Sequence, residues 1–260
     1  MPVNRIEKTF KKLRTQNKKA FIPYIMAGDP SLEKTKELVV LLEECGADII
    51  ELGVPFTDPL ADGPTIQRAA ERALKNGVTL RKVIALVKDL RVKTKVPLVL
   101  MTYYNPVFKY GEEKFINDAK DAGVDGVIIP DLPPDEAGEL IKTAKKADLA
   151  TIFLLAPTST EDRIKKVATA SKGFIYYVSM TGITGAQILL DDSIGKSINN
   201  IRRITDKPVA VGFGVSTPDE ARAVSGVSDG VIVGSAIVRK IQEAPEGLRD
   251  FILKLREAVR

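Results

Sequence analysis

Short apolar runs rich in β-branched residues alternate with amphipathic helical runs along this chain, and the alternation repeats eight times in 260 residues. This is the pattern of repeated βα units, which pair their strands into a parallel sheet. The apolar runs fall near Phe21 to Ile25, Ile49 to Leu52, Leu98 to Met101, Val127 to Ile129, Thr151 to Leu154, Phe174 to Val178, Val209 to Val211 and Gly230 to Val233. Helix signals stand between them. Ser31 opens and Gly46 closes the first long helix, whose apolar stripe is Leu38, Leu41, Leu42 and Cys45, and Thr158 followed by Glu161 reads as a capping box. The tripeptides Gly46-Ala47-Asp48, Gly123-Val124-Asp125 and Val227-Ser228-Asp229 each stand directly before a strand, a trace of a repeated unit. Met1 to Asn17 reads as an additional amphipathic helix covering the floor of the sheet. No Pro-, Gly- or Ser-rich linker divides the chain. The expectation is therefore an α/β fold, a single (β/α)8 TIM barrel over residues 1–260 with an extra N-terminal helix, its active site at the C-terminal ends of the strands.

Composition narrows the function classes. No apolar run reaches about 18 residues and the N-terminus lacks a signal-peptide apolar region, so a soluble, cytoplasmic protein with no membrane contact is expected. The net charge of +5 is spread over helical faces without a basic patch interleaved with aromatics, which argues against a nucleic-acid partner. A lone Cys45 forms no internal disulfide.

Chemistry concentrates in the stretch Glu51-Leu52-Gly53-Val54-Pro55-Phe56-Thr57-Asp58-Pro59-Leu60-Ala61-Asp62-Gly63. Glu51 ends a nearly apolar strand, where low dielectric disfavours ionisation and raises its pKa, and a carboxyl tuned this way carries protons near pH 7. The alternative is a glutamate facing solvent from a strand edge. A second region lies in the last quarter. Gly212-Phe213-Gly214 follows the seventh run, and Gly234-Ser235 follows the eighth at a helix start. Backbone N–H groups freed by glycine at the positive end of a helix bind phosphate without a basic side chain, although single glycines there also serve as plain turns. Thr181-Gly182-Ile183-Thr184-Gly185, after the sixth run, offers two glycine hinges for a closing loop.

The absence of histidine removes His triads, His-bound zinc and imidazole bases. No predicted strand carries a lysine for a Schiff base, and Cys45 is remote from the strand ends. Carboxylates and tyrosines remain: Glu51, Asp62 and Tyr176 stand out, with Asp58 and Asp131 leaving an acidic magnesium site as the chemical competitor. No metal triad is evident in the spacing of these acids, and no metal is expected. A sugar-phosphate isomerase or lyase and a non-catalytic, partner-binding relative also stay open on these grounds.

The same segments carry a family resemblance. Glu51 to Gly63, continuing through Pro64-Thr65-Ile66-Gln67, together with Phe21-Ile22-Pro23-Tyr24, Gly28-Asp29-Pro30, Met101, Tyr103, Asn105, Asp131-Leu132-Pro133, Gly182-Ile183-Thr184-Gly185 and Gly212-Phe213-Gly214-Val215, resembles the tryptophan synthase alpha chain family along essentially the whole chain. The resemblance implies a barrel that cleaves indole-3-glycerol phosphate to indole and glyceraldehyde 3-phosphate. It further implies a beta chain partner, in an alpha2beta2 heterotetramer, which alone holds pyridoxal phosphate; no cofactor is expected on this chain. On this reading Glu51 and Asp62 are catalytic. Tyr24, Met101, Tyr103, Ile129 and Tyr176 surround a flat indole, and Thr184 hydrogen-bonds Asp62 on closure. Gly185, Phe213, Gly214, Gly234 and Ser235 hold the phosphate, and Pro55, Asp58, Pro59, Asn105 and Phe108 meet the beta chain.

Overall fold

The computed structural model describes residues 4–178, 193–212 and 214–259. Nine strands, all paired in parallel, form one sheet: β1 (Ala20–Met26), β2 (Ile50–Gly53), β3 (Leu98–Met101), β4 (Gly126–Ile128), β5 (Ala150–Ile152), β6 (Leu154–Leu155), β7 (Ile175–Val178), β8 (Val209–Gly212) and β9 (Gly230–Val233). Their order is β5-β4-β3-β2-β1-β9-β8-β7-β6. The two ends of that order, β5 and β6, are halves of the fifth predicted strand separated by Phe153 alone. The ring therefore closes through the chain itself, and eight strand positions become nine segments of a (β/α)8 barrel. Phe153 interrupts the ladder because its N–H bonds the Ser171 hydroxyl while its carbonyl accepts from Tyr176.

Twelve α-helices are present among the described residues: α1 (Arg5–Thr15), α2 (Leu32–Glu44), α3 (Pro64–Lys75), α4 (Leu80–Leu90), α5 (Tyr104–Tyr110), α6 (Glu112–Asp121), α7 (Gly138–Ala147), α8 (Glu161–Ala170), α9 (Ser193–Arg202), α10 (Pro218–Val227), α11 (Ser235–Glu243) and α12 (Leu248–Ala258). Polar caps start several of them. The side chains of Ser31, Thr79, Thr160 and Thr217 accept the N–H three residues on, and Thr217 with Glu220 makes a full capping box. The cap of α8 is thus Thr160 rather than Thr158, because Ala156 and Ser159 first close a turn on each other and displace the helix start by two residues. On α2, Leu38, Leu42 and Cys45 are buried and Leu41 packs against the core, as the stripe requires.

Strand parity sorts the core. Ala20, Ile22, Ile49, Val99, Ile128, Ile152, Tyr176, Ala210 and Ile232 belong to one cluster inside the ring, and a larger cluster fills the space between sheet and helices. Ile6, Phe10 and Leu13 of α1 close the interior from below, with Phe10 and Phe174 ring centroids 5.6 Å apart. Buried Asn4 caps α1 and donates to the carbonyls of Asp125 and Asp148.

The three aspartates before strands share one job. Asp48, before β2, accepts from the N–H of Phe21 in β1 at 2.9 Å; Asp125, before β4, accepts from Leu98 in β3 at 2.9 Å; Asp229, before β9, accepts from Val209 in β8 at 3.0 Å. Each carboxylate also meets arginine: Arg256 for Asp48, Arg5 and Arg91 for Asp125, Arg202 for Asp229. The recurring sequence signal is a latch between neighbouring strands at the barrel floor, and the opposite rim is left free for a site.

Candidate active site

Glu51 is the centre of the upper barrel. It lies on β2 with Tyr24 of β1 and Val99 of β3 as its register partners, its side chain is fully buried, and neither carboxyl oxygen has a hydrogen-bond partner among the described residues. Burial alone pushes its pKa up from 4.5 to about 8. The group is therefore a neutral acid at pH 7, and the solvent-facing alternative for Glu51 fails on position.

Asp62 occupies the loop between β2 and α3. Burial raises its pKa from 3.8 to about 6, and the Tyr103 hydroxyl, donating to the carboxylate, holds it from rising further. At pH 7 it is largely ionised. Two carboxyls of one site are thus driven to opposite protonation states, the pattern that separates acid from base. Burial raises the pKa of the Tyr24 and Tyr176 hydroxyls and both carboxyls add to the rise, so each tyrosine lies within electrostatic reach of both carboxyls.

A cavity of about 190 Å³ is lined among the described residues by Tyr24, Asp62, Ile66, Met101, Tyr176, Val215 and Ile232 together with Gly214, Ser216, Gly234 and Ser235, while Glu51, fully buried, is not part of the lining. Apolar and aromatic side chains and a glycine- and serine-rich set thus share one lining. Gly214 holds φ +83°, a backbone shape that favours glycine, and Gly234 is the N-cap of α11 with Ser235 its first residue. The lining thus includes the N-terminus of a helix, whose first N–H groups have no intrahelical partner, as an anion site requires. Gly53 and Gly212 are required for another reason: a Cβ on either would stand 2.0 Å and 2.3 Å from the hydroxyls of Tyr24 and Tyr176.

Several predicted site residues are placed differently. Tyr103 does not line the cavity; its hydroxyl accepts from the Ala61 N–H at 2.9 Å and supports Asp62 from the side. Ile129 is buried in the larger core cluster and is also absent from the lining, since strand parity gives the inward place to Ile128. Pro55 is buried and offers little surface to another chain, whereas Asp58, Asn105 and Phe108 are exposed and Pro59 half-buried. Thr184, Gly185 and Phe213 lie outside the described residues. Among the described residues no three Cys, Asp or Glu side chains converge as metal ligands, and no helix is long and apolar enough to cross a membrane.

Two features escaped the sequence reading. Gln67 donates from its side chain to the Asp62 carbonyl at 2.8 Å. Leu60, next to Asp62 in the loop, is 95% exposed. A leucine reads as core by type, and only the turn formed by Asp58, Pro59 and Asp62 turns it outward.

A larger cavity, about 760 Å³, lies elsewhere, between α7 and α8 on the barrel flank. Its lysines are mostly engaged with Asp135, Glu161 and Asp148, and it holds no strand-end carboxyl.

Comparison with known proteins bears on this geometry. The family model for the tryptophan synthase alpha chain matches residues 10–260. The tryptophan synthase alpha chain of Geotalea daltonii is 54% identical over 241 residues, 93% of this chain and 91% of the relative, and that of Geotalea uraniireducens is 51% identical over 263 residues, covering 99% and 98%. Among solved structures, a tryptophan synthase from Mycobacterium tuberculosis superposes with a TM-score of 0.93 at 39% identity, covering 99% of both chains. The alpha subunit from Legionella pneumophila gives 0.92 at 37% identity, covering 99% of this chain and 98% of that one. Sequence, fold and near-complete coverage in both directions agree: this chain belongs to the tryptophan synthase alpha chain family.

Proposed function

We propose that the chain is the alpha subunit of a tryptophan synthase and performs the cleavage of indole-3-glycerol phosphate to indole and glyceraldehyde 3-phosphate, a carbon–carbon lyase reaction. The observation that carries this reading is the buried, unpartnered Glu51 carboxyl with its pKa near 8, set within reach of an Asp62 with its pKa near 6. Breaking the bond between indole C3 and the glycerol carbon requires an electron sink, and the indole ring protonated at C3 provides one. Neutral Glu51 donates its proton to C3. Ionised Asp62 accepts a hydrogen bond from the indole N–H and stabilises the positive charge that develops on the ring. The Glu51 carboxylate then takes the proton of the hydroxyl on the carbon attached to C3, the C–C bond breaks, its electron pair returns to the ring, and that carbon leaves as the aldehyde. Protons and electrons balance between the two products, and Glu51 ends as its anion's conjugate acid, ready for another turnover.

Tyr24, Met101 and Tyr176 supply the flat apolar wall for the ring. Gly214, Gly234 and Ser235 bind the phosphate with backbone donors; Gly185 and Phe213, which the family resemblance assigns to the same group, lie outside the described residues. The reaction needs no cofactor on this chain; pyridoxal phosphate belongs to the beta chain, which receives the indole in an alpha2beta2 complex and makes tryptophan. The cytoplasm is the compartment this pathway step calls for. Asp58, Pro59, Asn105 and Phe108, on loops and a helix that follow β2 and β3, present the face that meets the beta chain.

Indole release by the purified chain, measured with and without a tryptophan synthase beta chain, tests the reading. Slow release that rises strongly with the partner is expected. Glu51→Gln should lower the rate by about 100-fold to 10,000-fold. No release under either condition, or a Glu51→Gln variant of nearly full activity, overturns it.

A further inference from the structure

We infer that Gln67 is a positioning residue for the reaction: it couples the Asp62 base to helix α3, which is itself locked to the barrel wall, and so fixes the base in space before substrate arrives. The inference rests on the proposed role of Asp62.

Asp62 sits at the end of a loop with exposed neighbours, Leu60 at 95% among them. A base on such a loop is displaced easily, and about 1 Å of misplacement is enough to lose on the order of 100-fold in rate. Three tethers oppose this. The Asp62 N–H donates to the Pro59 carbonyl at 3.0 Å, the Tyr103 hydroxyl holds the carboxylate, and Gln67 Nε2 donates to the Asp62 carbonyl at 2.8 Å. The first belongs to the loop itself and the second to the segment after β3. Only the third comes from α3.

The far half of α3 is fixed independently of the loop. Arg72 holds the buried Asp29 carboxylate with two bonds of 2.8 Å, and Asn76 donates to the carbonyls of Gly28 and Pro30. Ile66, Ala69, Ala70 and Ala73 are buried along the same helix. The start of α3, in contrast, has no side-chain cap of its own: Gly63 is the N-cap and Pro64 follows. Gln67, one turn inside, reaches back past Gly63 to Asp62. The helix is the rigid part and the glutamine is its link to the base.

A merely structural cap would change stability and nothing else. A positioning role moves the chemistry, and the two are separated by Gln67→Met, which keeps length and removes the donor, and by Gln67→Asn, which keeps the amide but is too short to reach. Both should lower kcat for indole-3-glycerol phosphate cleavage by about 10-fold to 100-fold, with KM within about twofold and Tm little changed. Burial is what raises the Asp62 pKa, so a loosened Asp62 should titrate lower, and the acidic limb of the rate profile should move below about 6. The titratable groups that interact electrostatically with Asp62 among the described residues include Tyr103, Tyr24 and Tyr176, and neither substitution alters them. The same shift should appear in the carboxyl carbon resonance of Asp62 titrated in the free protein, a readout that needs no turnover. A titration and a rate profile superimposable on those of the unmodified chain overturn the inference. An unmodified chain that releases no indole overturns the functional reading instead, and leaves the Asp62 titration to decide the tether.

Discussion

Glu51 and Asp62 are chemically ordinary carboxyls made different by their surroundings. Full burial with no hydrogen bond to its oxygens among the described residues holds Glu51 neutral to about pH 8, and partial burial tempered by one tyrosine bond leaves Asp62 near 6. With the roles proposed for them, Glu51 protonated and Asp62 ionised, cleavage should fall as pH drops through about 6 and again as it rises through about 8, with the maximum between, measurable as kcat/KM against pH. The same burial has a thermodynamic side. A carboxyl whose folded pKa lies above its unfolded value binds its proton more tightly in the native state, so folded stability is lost as pH rises from about 4.5 through about 8. Glu51→Gln carries no such titration. Its urea-unfolding free energy should therefore exceed that of the unmodified chain at pH 9 by roughly a few kcal/mol and approach it near pH 5. The pKa of Glu51 was legible from its apolar strand. That its oxygens have no partner was not, because a missing contact leaves no mark on the sequence.

At the scale of elements, the aspartate latches show how a local repeat becomes a global constraint. Asp125 is buried, accepts from the β3 backbone and meets two arginines. Asp125→Ala removes one side of a buried ion network and orphans a backbone N–H, so it should destabilise the fold by about 3–5 kcal/mol in denaturant melts. Glu161→Ala, which breaks an exposed pair with Lys165, should leave the melt unchanged within error. The eight strands were readable because both faces of a parallel sheet are dry and β-branched runs report that directly. The break at Phe153 was not readable, since both halves are equally apolar and the interruption comes from a bond to Ser171, 18 residues on. Ile129 follows β4 and lies in the larger cluster while Ile128 takes the inward face, an alternation that a continuous apolar run does not reveal. Gln67 was seen in the motif but not in its role, because a bond from one helical turn back to the residue before the cap depends on the path of the loop.

For the whole molecule, the proposed site and two exposed apolar side chains share the upper rim. Leu60 and Phe108, at 95% and 65% exposure, stand on segments that follow β2 and β3 and flank the site. Large apolar groups left in water beside a reactive centre fit a surface that another chain covers. Leu60→Asp and Phe108→Asp should each weaken association with the beta chain by about tenfold or more in titration calorimetry, while the far-UV spectrum of the free chain stays unchanged. The chain also has no histidine. The ionisations set near 8 and near 6 by burial are thus inside the barrel, with no surface imidazoles to titrate over them. When a substrate analogue lacking the phosphate binds near neutrality, the heat measured in buffers of different ionisation enthalpy counts protons moved at Glu51 and Asp62 with the α-amino group as the main side-reaction, so this protein reports the protonation of its own site in bulk solution, without a label.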